Sequence, residues 1–332
     1  MDILLILAGI LALVAGGELL VRGAVSIALR FNISTLVVGM TIVSFGTSAP
    51  ELLVSLEAMF AEHPGIAMGN VVGSNIANIA LVLGITALIF PIEVSKNSYK
   101  IDWPVLMLST LLVFGFMWMN IDPEYWDNLG AQDDANYVTG LNWMNGVVML
   151  AVLFGFNGFL IWKSRKTIKA EKAESNIVDE VGESTVVKDV IFIIVGSIGL
   201  SYGAHLLVDG TVGLASFLGI SDYVISVTIV AFGTSLPELM TSVVAAFKRH
   251  SDLSVGNLIG SNIFNILGIL GITSLFKSIP VADVVLHNDM WWVIGIAILA
   301  LPMMITRKRI SKIEGFILFS SYCIYVYFTV VQ

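Results

Sequence analysis

The chain has 332 residues, of which 57% are hydrophobic and only 13% are charged, and its mean hydropathy is +0.90. About a quarter of the residues in a soluble domain are charged, so this composition excludes an ordinary soluble protein and predicts one solvated mainly by the lipid bilayer. The net charge of −8 without a basic tract argues against nucleic acid as a partner, and the single cysteine, Cys323, excludes a disulfide framework.

Apolar stretches separated by charged or turn-rich segments predict ten membrane-spanning helices. In chain order they are residues 2–28, 35–60, 66–90, 102–120, 143–162, 187–217, 222–247, 253–276, 289–306 and 313–331. A span takes about 20 residues, so a chain of this length has room for roughly ten. The expected fold class is therefore an all-α polytopic membrane protein. In the long first and sixth helices, Glu18 with Arg22 and His205 with Asp209 predict local ion pairs near the interface.

Basic residues are concentrated in the loops that follow the odd-numbered helices. Because such loops stay in the cytoplasm, we expect a multi-pass protein of the plasma (inner) membrane with both termini outside. Residues 163–186 form a polar connector, which divides the chain into predicted five-helix units at 1–162 and 187–332. The opposite side carries Lys277 and acidic residues, namely Glu62, Asp122, Glu124, Asp127, Asp133 and Asp134.

Two segments of the first half are repeated in the second half. Residues 39–59, GMTIVSFGTSAPELLVSLEAM, share 12 of 21 positions with residues 226–246, and residues 69–85, GNVVGSNIANIALVLGI, share 11 of 17 positions with residues 256–272. Both pairs have the same offset of 187 residues, so the chain consists of two homologous halves of five helices each. Because five is odd, the second half enters the membrane from the opposite side, which predicts an inverted-topology repeat.

The strongest motif is FGTS-x-PE, which ends at Glu51 in the first half and at Glu238 in the second. Proline removes a backbone donor and clashes with the carbonyl four residues back, so Pro50 and Pro237 are expected to interrupt their helices and to free carbonyl oxygens. A carboxylate in the middle of a span is costly unless it is protonated, paired or bound to a cation. No lysine or arginine lies at matching depth in the predicted spans, which favours a bound cation.

The second motif is GN-xx-GSN-xx-N. Ser74 and Asn78 are four residues apart, as are Ser261 and Asn265, so each pair presents a hydroxyl and an amide oxygen on one helix face. We expect these four side chains to line the site. The glycines and the other asparagines of the motif fit helix packing and interhelical hydrogen bonding as well as they fit binding.

Carboxylate, amide, hydroxyl and backbone oxygens are ligands for hard cations such as Na⁺, Ca²⁺, Mg²⁺ or K⁺, and they disfavour zinc and copper. Two carboxylates balance one divalent ion or two monovalent ions, which is the electrostatic condition for exchange at a shared site. The four histidines make no metal-ligand spacing with each other, so a membrane-embedded enzyme is unsupported and no cofactor is expected.

Together, the two GTS-x-PE segments and the two GN-xx-GSN-xx-N segments resemble the alpha repeats of the sodium/calcium exchanger family of cation antiporters. The resemblance covers both halves and the ten-helix arrangement. It implies a secondary antiporter that exchanges Ca²⁺ for Na⁺ by alternating access in the lipid bilayer, without an obligatory protein partner. A proton-coupled cation antiporter is the alternative, although the asparagine–glutamate signature usual in that branch is absent. A cation channel fits the internal two-fold symmetry less well.

The resemblance also implies a role for each repeated position. Glu51 and Glu238 match the central carboxylates that bridge the calcium and sodium sites, and Thr47 and Thr234 match residues of the calcium site. The other implied ligands are, in repeat-related pairs, the hydroxyls of Ser48 and Ser235, the backbone carbonyls of Ser44 and Ala231, the hydroxyls of Ser74 and Ser261, and the amides of Asn78 and Asn265. Some family members have an aspartate at one position of the last pair, a departure that leaves K⁺ open as a further transported ion.

Overall fold

A computed structural model of the chain describes residues 2–121, 137–175, 185–218 and 231–331. These residues contain ten long helices, which we number α1 to α10. Their bounds are Asp2–Phe31, Thr35–Phe60, Pro64–Ile89, Ser98–Met119, Trp143–Ser175, Val186–Phe217, Leu236–Phe247, Ser251–Phe276, Val285–Lys308 and Lys312–Val331. The acidic loop and the predicted start of the seventh helix, residues 222–230, lie outside the described residues.

The described helices confirm the predicted fold class. Eight of them are long and apolar enough to cross a membrane, and α7 and α10 complete two sets of five. An odd number of helices in each set inverts the second repeat relative to the first. The chain is therefore an all-α polytopic membrane protein with ten transmembrane helices in two inverted-topology repeats.

The structure differs from the prediction at one helix end and in the loops. α5 continues beyond residue 162 to Ser175, so the first part of the predicted polar connector is helical. Four short strands, which were not predicted, form two antiparallel ladders: β1 (Ile92–Glu93) with β4 (Arg309–Ile310), and β2 (Tyr137–Leu141) with β3 (Ile279–Ala282). Each ladder joins a loop of one half to a loop of the other, so the halves are linked at both ends of the bundle.

α3 and α8 form the centre of the bundle. In the most apolar stretch of each helix, 78% of the residues are buried in α3 and 89% in α8, against 28% in α1 and α5 and 22% in α6. The two central helices carry the GN-xx-GSN-xx-N motif, whose small side chains let neighbouring helices approach closely. The polar motif is thus kept away from lipid, while α1, α5 and α6 expose large apolar side chains such as Leu11, Phe154 and Ile198.

Several helices contain a π-helical turn that the apolar pattern did not indicate. The turns are Gly39–Val43 in α2, Ala77–Val82 in α3, Ser98–Asp102 in α4, Phe264–Ile269 in α8 and Val285–Asp289 in α9. Those of α3 and α8, and those of α4 and α9, are related by the offset of the sequence repeat. Such turns widen a helix locally and occur often at functional sites.

α1 and α6 pack against each other with their backbones in contact, through glycines spaced seven residues apart. The glycines are Gly9, Gly16 and Gly23 in α1, and their repeat counterparts Gly196, Gly203 and Gly210 in α6. A Cβ atom added to Gly16 would lie 2.7 Å from the backbone nitrogen of Leu200. Since no side chain separates the two helices along these positions, they form one closely packed pair.

Ion pairs connect helix ends at both faces of the bundle. At one face, Arg30 Nε of α1 lies 3.4 Å from Asp189 Oδ2 of α6. At the other, Lys277 Nζ donates to Glu62 Oε1 at 2.6 Å. This hydrogen bond and the positive charge of Lys277 lower the pKa of the Glu62 carboxyl. Lys277 and Glu62 were predicted on one side of the membrane, and they meet there.

The two predicted local ion pairs have different outcomes. His205 and Asp209 of α6 form theirs, with 3.4 Å between Nε2 and Oδ2. Glu18 does not pair with Arg22, because the ammonium of Lys248 at the end of α7 forms the ion pair with Glu18 instead. This contact joins α1 to the second repeat, which the sequence spacing could not indicate.

We expect Gly16→Ala to lower the thermal unfolding temperature of the purified protein, because the added methyl would meet α6 backbone that cannot move aside. Overpacking of this kind costs about 1–3 kcal/mol. Gly155→Ala in α5 is the matched control, because a Cβ atom there would have nothing within 4 Å. An equal loss of stability in both variants would contradict the close packing of α1 and α6.

Candidate ion-binding site

The first FGTS-x-PE motif lies in a continuous helix. Ser44–Phe60 of α2 is α-helical with Pro50 inside it, so the interruption predicted for the first repeat is wrong. The departure from α geometry comes earlier, in the π turn Gly39–Val43. The turn lies against α8, and the Ser44 hydroxyl that follows it donates to the Met40 carbonyl at 2.8 Å. The irregularity is therefore set by packing against α8 and not by the proline.

The second motif is interrupted, as predicted. A short helix, Ala231–Gly233, is followed by a turn at Thr234 and Ser235, and α7 begins at Leu236. Pro237 lies in the first turn of α7, where its missing N–H leaves no intrahelical hydrogen bond unmade. Two motifs of nearly the same sequence thus have different backbones.

The two motif glutamates meet at the centre of the bundle. Glu51 is 1% exposed, Glu238 is 0% exposed, and their carboxyl groups interact electrostatically. Neither carboxyl oxygen of Glu51 has a hydrogen-bond partner, and Oε2 of Glu238 has none either. Among the described residues no basic side chain forms an ion pair with them. Buried carboxylates without such partners require protons or cations for charge balance.

Hydroxyl groups of α2 connect this pair to the second repeat. Ser48 Oγ donates to Glu238 Oε1 at 3.0 Å. One residue earlier, Thr47 Oγ1 donates to Asn257 Oδ1 at 3.2 Å and lies 3.4 Å from Ser261 Oγ. All of these side chains are buried. The contacts bring residues of α2 and α8 together around the glutamates.

The π turns of α3 and α8 contain the two site asparagines. Asn78 lies in Ala77–Val82 and Asn265 in Phe264–Ile269. Asn265 Nδ2 donates to Ser74 Oγ at 3.0 Å, which joins the two repeats. Both amide atoms of Asn78 and the amide oxygen of Asn265 have no hydrogen-bond partner although they are buried. These oxygens are available to a cation.

Four of the sequence-predicted ligands stand outside these contacts. The Ser235 hydroxyl is buried without a partner, and Thr234 lines a separate cavity of about 290 Å³ together with His205 of α6. Ser44 has its contacts within its own helix, where its hydroxyl donates to the Met40 carbonyl and its own backbone carbonyl, the predicted ligand atom, accepts from Thr47 Oγ1 at 3.3 Å. Ala231 begins the short helix before α7, and its side chain lies outside the described residues. The predicted ligands of the first motif therefore make more contacts around the glutamates than those of the second motif do.

Two asparagines whose roles the sequence left open have defined contacts. Asn70 Nδ2 donates to the backbone carbonyl of Glu51 at 3.1 Å and to Ser55 Oγ at 3.0 Å. Its repeat counterpart Asn257 has its Nδ2 3.5 Å from Ser242 Oγ. Each asparagine thus joins a GN-xx-GSN-xx-N helix to the motif helix of its own half. The duplication of both positions was the signal that could have identified them.

The cluster combines two carboxylates with neutral hydroxyl and amide oxygens. In the described parts of the chain, no group of three or more His, Cys, Asp or Glu side chains could hold a metal ion. The ligand set around the two glutamates, with hard carboxylate, hydroxyl and amide oxygens and only two formal charges, is suited to Na⁺ and Ca²⁺.

Comparison with known proteins identifies the family of the chain. The profile of the family described as "Sodium/calcium exchanger protein" matches residues 1–162 and 188–331. The chain belongs to the sodium/calcium exchanger family. Among solved structures, the sodium-calcium exchanger NCX_Mj soaked with zero Na⁺ and Ca²⁺ is 34% identical, with a TM-score of 0.77 over 98% of this chain and 97% of that chain. The ten-helix architecture of the family is thus present here over nearly its whole length.

Full-length relatives extend the comparison. The sodium/calcium exchanger MaX1 of Methanosarcina acetivorans is 31% identical over 344 residues, which cover 97% of this chain and 96% of that protein. The inner membrane protein YrbG of Escherichia coli K12 is 31% identical over 277 residues, which cover 82% of this chain and 78% of that protein. Members of this family are antiporters, and the chain is accordingly placed among ion exchangers and not among enzymes.

In this exchanger, Ser48 and Ser235 occupy the same repeat position but differ in their contacts. We expect Ser48→Ala to lower the free energy of unfolding in Na⁺- and Ca²⁺-free detergent by about 1–3 kcal/mol, because Glu238 loses a buried hydrogen bond. Ser235→Ala should cost less, because its hydroxyl has no hydrogen-bond partner to lose. Chemical denaturation of the two variants measures the difference, and equal losses would contradict the asymmetry of the site.

Proposed function

We propose that this protein exchanges Ca²⁺ for Na⁺ across the membrane, with Glu51 and Glu238 in a shared ion site. The observation that carries the proposal is the buried glutamate pair without a basic partner among the described residues. Membership of the sodium/calcium exchanger family supports the choice of ions. The names of MaX1 and NCX_Mj include sodium and calcium and no potassium, so K⁺ is left out of the proposal.

The charge of the site supports exchange over uniport. Two carboxylates are neutralised by one Ca²⁺ or by two Na⁺, so the same residues accept either cargo. An empty pair would carry two uncompensated charges through a closed and dry intermediate, which is costly in a low-dielectric interior. Reorientation is therefore restricted to the loaded protein, and this restriction couples the movement of one ion to the return of the other.

The ligand assignments follow the contacts around the pair. In the proposal Thr47 and Ser48 belong to the site of the first motif, and Thr234 and Ser235 take the equivalent positions when the second motif rearranges. The remaining proposed ligands are the backbone carbonyls of Ser44 and Ala231, the hydroxyls of Ser74 and Ser261, and the amides of Asn78 and Asn265. The unpartnered oxygens of both asparagines support their inclusion.

Alternating access would come from movement of α1 and α6 across the motif helices. The glycine contacts that join α1 to α6 support motion as one unit. Their interface with the motif helices also has small residues, since a Cβ atom on Gly17 would lie 3.3 Å from Val244 of α7. The cavity lined by Thr234 and His205 lies between α6 and the two motif prolines, Pro50 and Pro237, which leaves space between α6 and the motif helices.

The membrane placement and the division of the chain complete the proposal. The basic loops support a multi-pass protein of the plasma (inner) membrane with both termini outside. The relative YrbG is named an inner membrane protein, which agrees with this location. We keep 1–162 and 187–332 as the two repeats and 163–186 as their cytoplasmic connector.

Glu51→Gln or Glu238→Gln should abolish ⁴⁵Ca²⁺ uptake driven by a Na⁺ gradient in proteoliposomes. Removing one charge about 4 Å from a cation costs on the order of 4 kcal/mol at an effective dielectric constant of about 20, or roughly a thousandfold in affinity. Glu57→Gln is the matched control, because Glu57 lies exposed on the same helix. Uptake like that of the wild type in either site variant would refute the shared site.

The counter-ion is tested with the wild-type protein. We expect ⁴⁵Ca²⁺ uptake to follow an outward Na⁺ gradient and to show no response to a pH gradient of the same magnitude at zero Na⁺. Uptake driven by the pH gradient alone would favour a proton-coupled antiporter. ⁴⁵Ca²⁺ flux that requires no gradient of a counter-ion would favour a channel.

A further inference from the structure

Another buried carboxylate lies far from the ion site. Asp102 in the first part of α4 is 1% exposed, and its Oδ2 has no hydrogen-bond partner. It lines a cavity of about 200 Å³ between α4, the start of α2 and the later part of α5. Ser34, which precedes α2, lines the same cavity, and the residues from Ser34 to Glu51 span about 25 Å of helix. The cavity is therefore distinct from the exchange site.

A positive group faces the same cavity without pairing to Asp102. The Lys163 ammonium of α5 lines the cavity and lies 3.5 Å from Asn97 Oδ1. Two hydroxyls add donors. Ser164 Oγ accepts from the Ser34 backbone N–H at 2.7 Å, and Ser34 Oγ accepts from the Val37 N–H at 3.4 Å. Each hydroxyl proton stays available to a ligand, so the cavity offers one carboxylate and a group of donors.

This arrangement is complementary to a ligand that carries a cationic donor next to an anionic acceptor. A primary ammonium would pair with the Asp102 carboxylate, and a phosphate would accept from Lys163 and the serine hydroxyls. The wall also has an apolar part, which includes Leu160 and Leu36. A small zwitterion attached to apolar chains meets both requirements.

The position of the cavity relative to the membrane surface indicates that its ligand comes from the bilayer. Trp162, next to Lys163, is 61% exposed, and the ring of Phe159 lies 6.0 Å from the Lys163 ammonium. An exposed tryptophan followed by basic residues, here Trp162 followed by Lys163, Arg165 and Lys166, is typical of the headgroup level of a membrane. The cavity lies at the end of the bundle where α1 meets α2, which is the side of the basic loops.

We propose that this cavity binds the headgroup of an ethanolamine phospholipid, with its ammonium on Asp102 and its phosphate at Lys163. A choline headgroup lacks N–H donors and is bulkier, so it cannot donate a hydrogen bond to the buried carboxylate. The bound headgroup would contact the first turn of α2, which leads directly into the π turn Gly39–Val43. Occupation of the cavity would therefore stabilise the helix that carries Glu51.

The second repeat supplies a matched control. Asp289 stands 187 residues after Asp102, in the corresponding π turn of α9. Its Oδ1 accepts from Asn288 Nδ2 at 3.2 Å, whereas Oδ2 of Asp102 has no hydrogen-bond partner. The ligand arrangement of the cavity is thus not duplicated, and Asp289 should make no contribution to headgroup binding.

The test measures thermal unfolding of the delipidated full-length protein in mixed micelles that contain phosphatidylethanolamine or phosphatidylcholine with the same acyl chains. We expect the ethanolamine lipid to raise the unfolding temperature of the wild type more than the choline lipid does. With Asp102→Asn, we expect the same rise in unfolding temperature to require a roughly tenfold higher concentration of the ethanolamine lipid, since a charge-assisted bond is lost. Lys163→Gln, at a half-buried position, should weaken the response to this lipid too, whereas Asp289→Asn should keep it.

Three results would overturn the proposal. One is an equal response of the wild type and Asp102→Asn, and another is an equal effect of the two lipids. The third is a full response to soluble glycerophosphoethanolamine at the same concentration, which would assign the cavity to a free zwitterion and not to a lipid. The measurement requires no transport, so its outcome is independent of the proposed exchange.

Discussion

Electrostatic repulsion between Glu51 and Glu238 is the constraint on which the rest of the structure depends. Two carboxylates buried within reach of each other in lipid-embedded helices are stable only with compensating protons or cations. The surrounding helices provide hydroxyl and amide groups and no basic side chain among the described residues. A lysine at this position would neutralise one of the two carboxylates permanently, whereas neutral oxygens leave the compensation of both charges to ions that enter and leave.

The inverted repeat places the two carboxylates together, but the repeats are not equivalent. The first motif lies in a continuous helix after a π turn, and the second is broken at Thr234 and Ser235. Ser48 binds Glu238 while its counterpart Ser235 has no partner. An exchanger requires two states that differ in which side of the membrane has access to the site. Two repeats of similar sequence that adopt different backbone conformations are suited to form both states.

The fold combines a buried centre with a closely packed helix pair at its periphery. α3 and α8 are the most buried helices and carry the asparagines, so the site has a rigid centre. α1 and α6 contact each other through backbone at the glycine positions and form one closely packed unit. Ion pairs such as Glu18 with Lys248 join this unit to the motif helices at the membrane surface. The cavity at Asp102 lies at the same surface and touches the start of α2, so lipid composition has a physical connection to the helix that carries the site.

The amino-acid sequence by itself determined the membrane environment, the ten helices, the duplication and the pairing of Glu51 with Glu238, because hydropathy and internal identity are local properties that need no coordinates. The repeat also singled out the candidate site residues around this pair, whose role in ion binding stays a prediction. Only the tertiary structure decided that Ser48 and not Ser235 contacts a glutamate, that the distortion of α2 is a π turn and not a proline break, and that Glu18 pairs with Lys248. Each of these depends on contacts between residues far apart in the chain, where packing and electrostatics of neighbouring helices override the preferences of the local sequence.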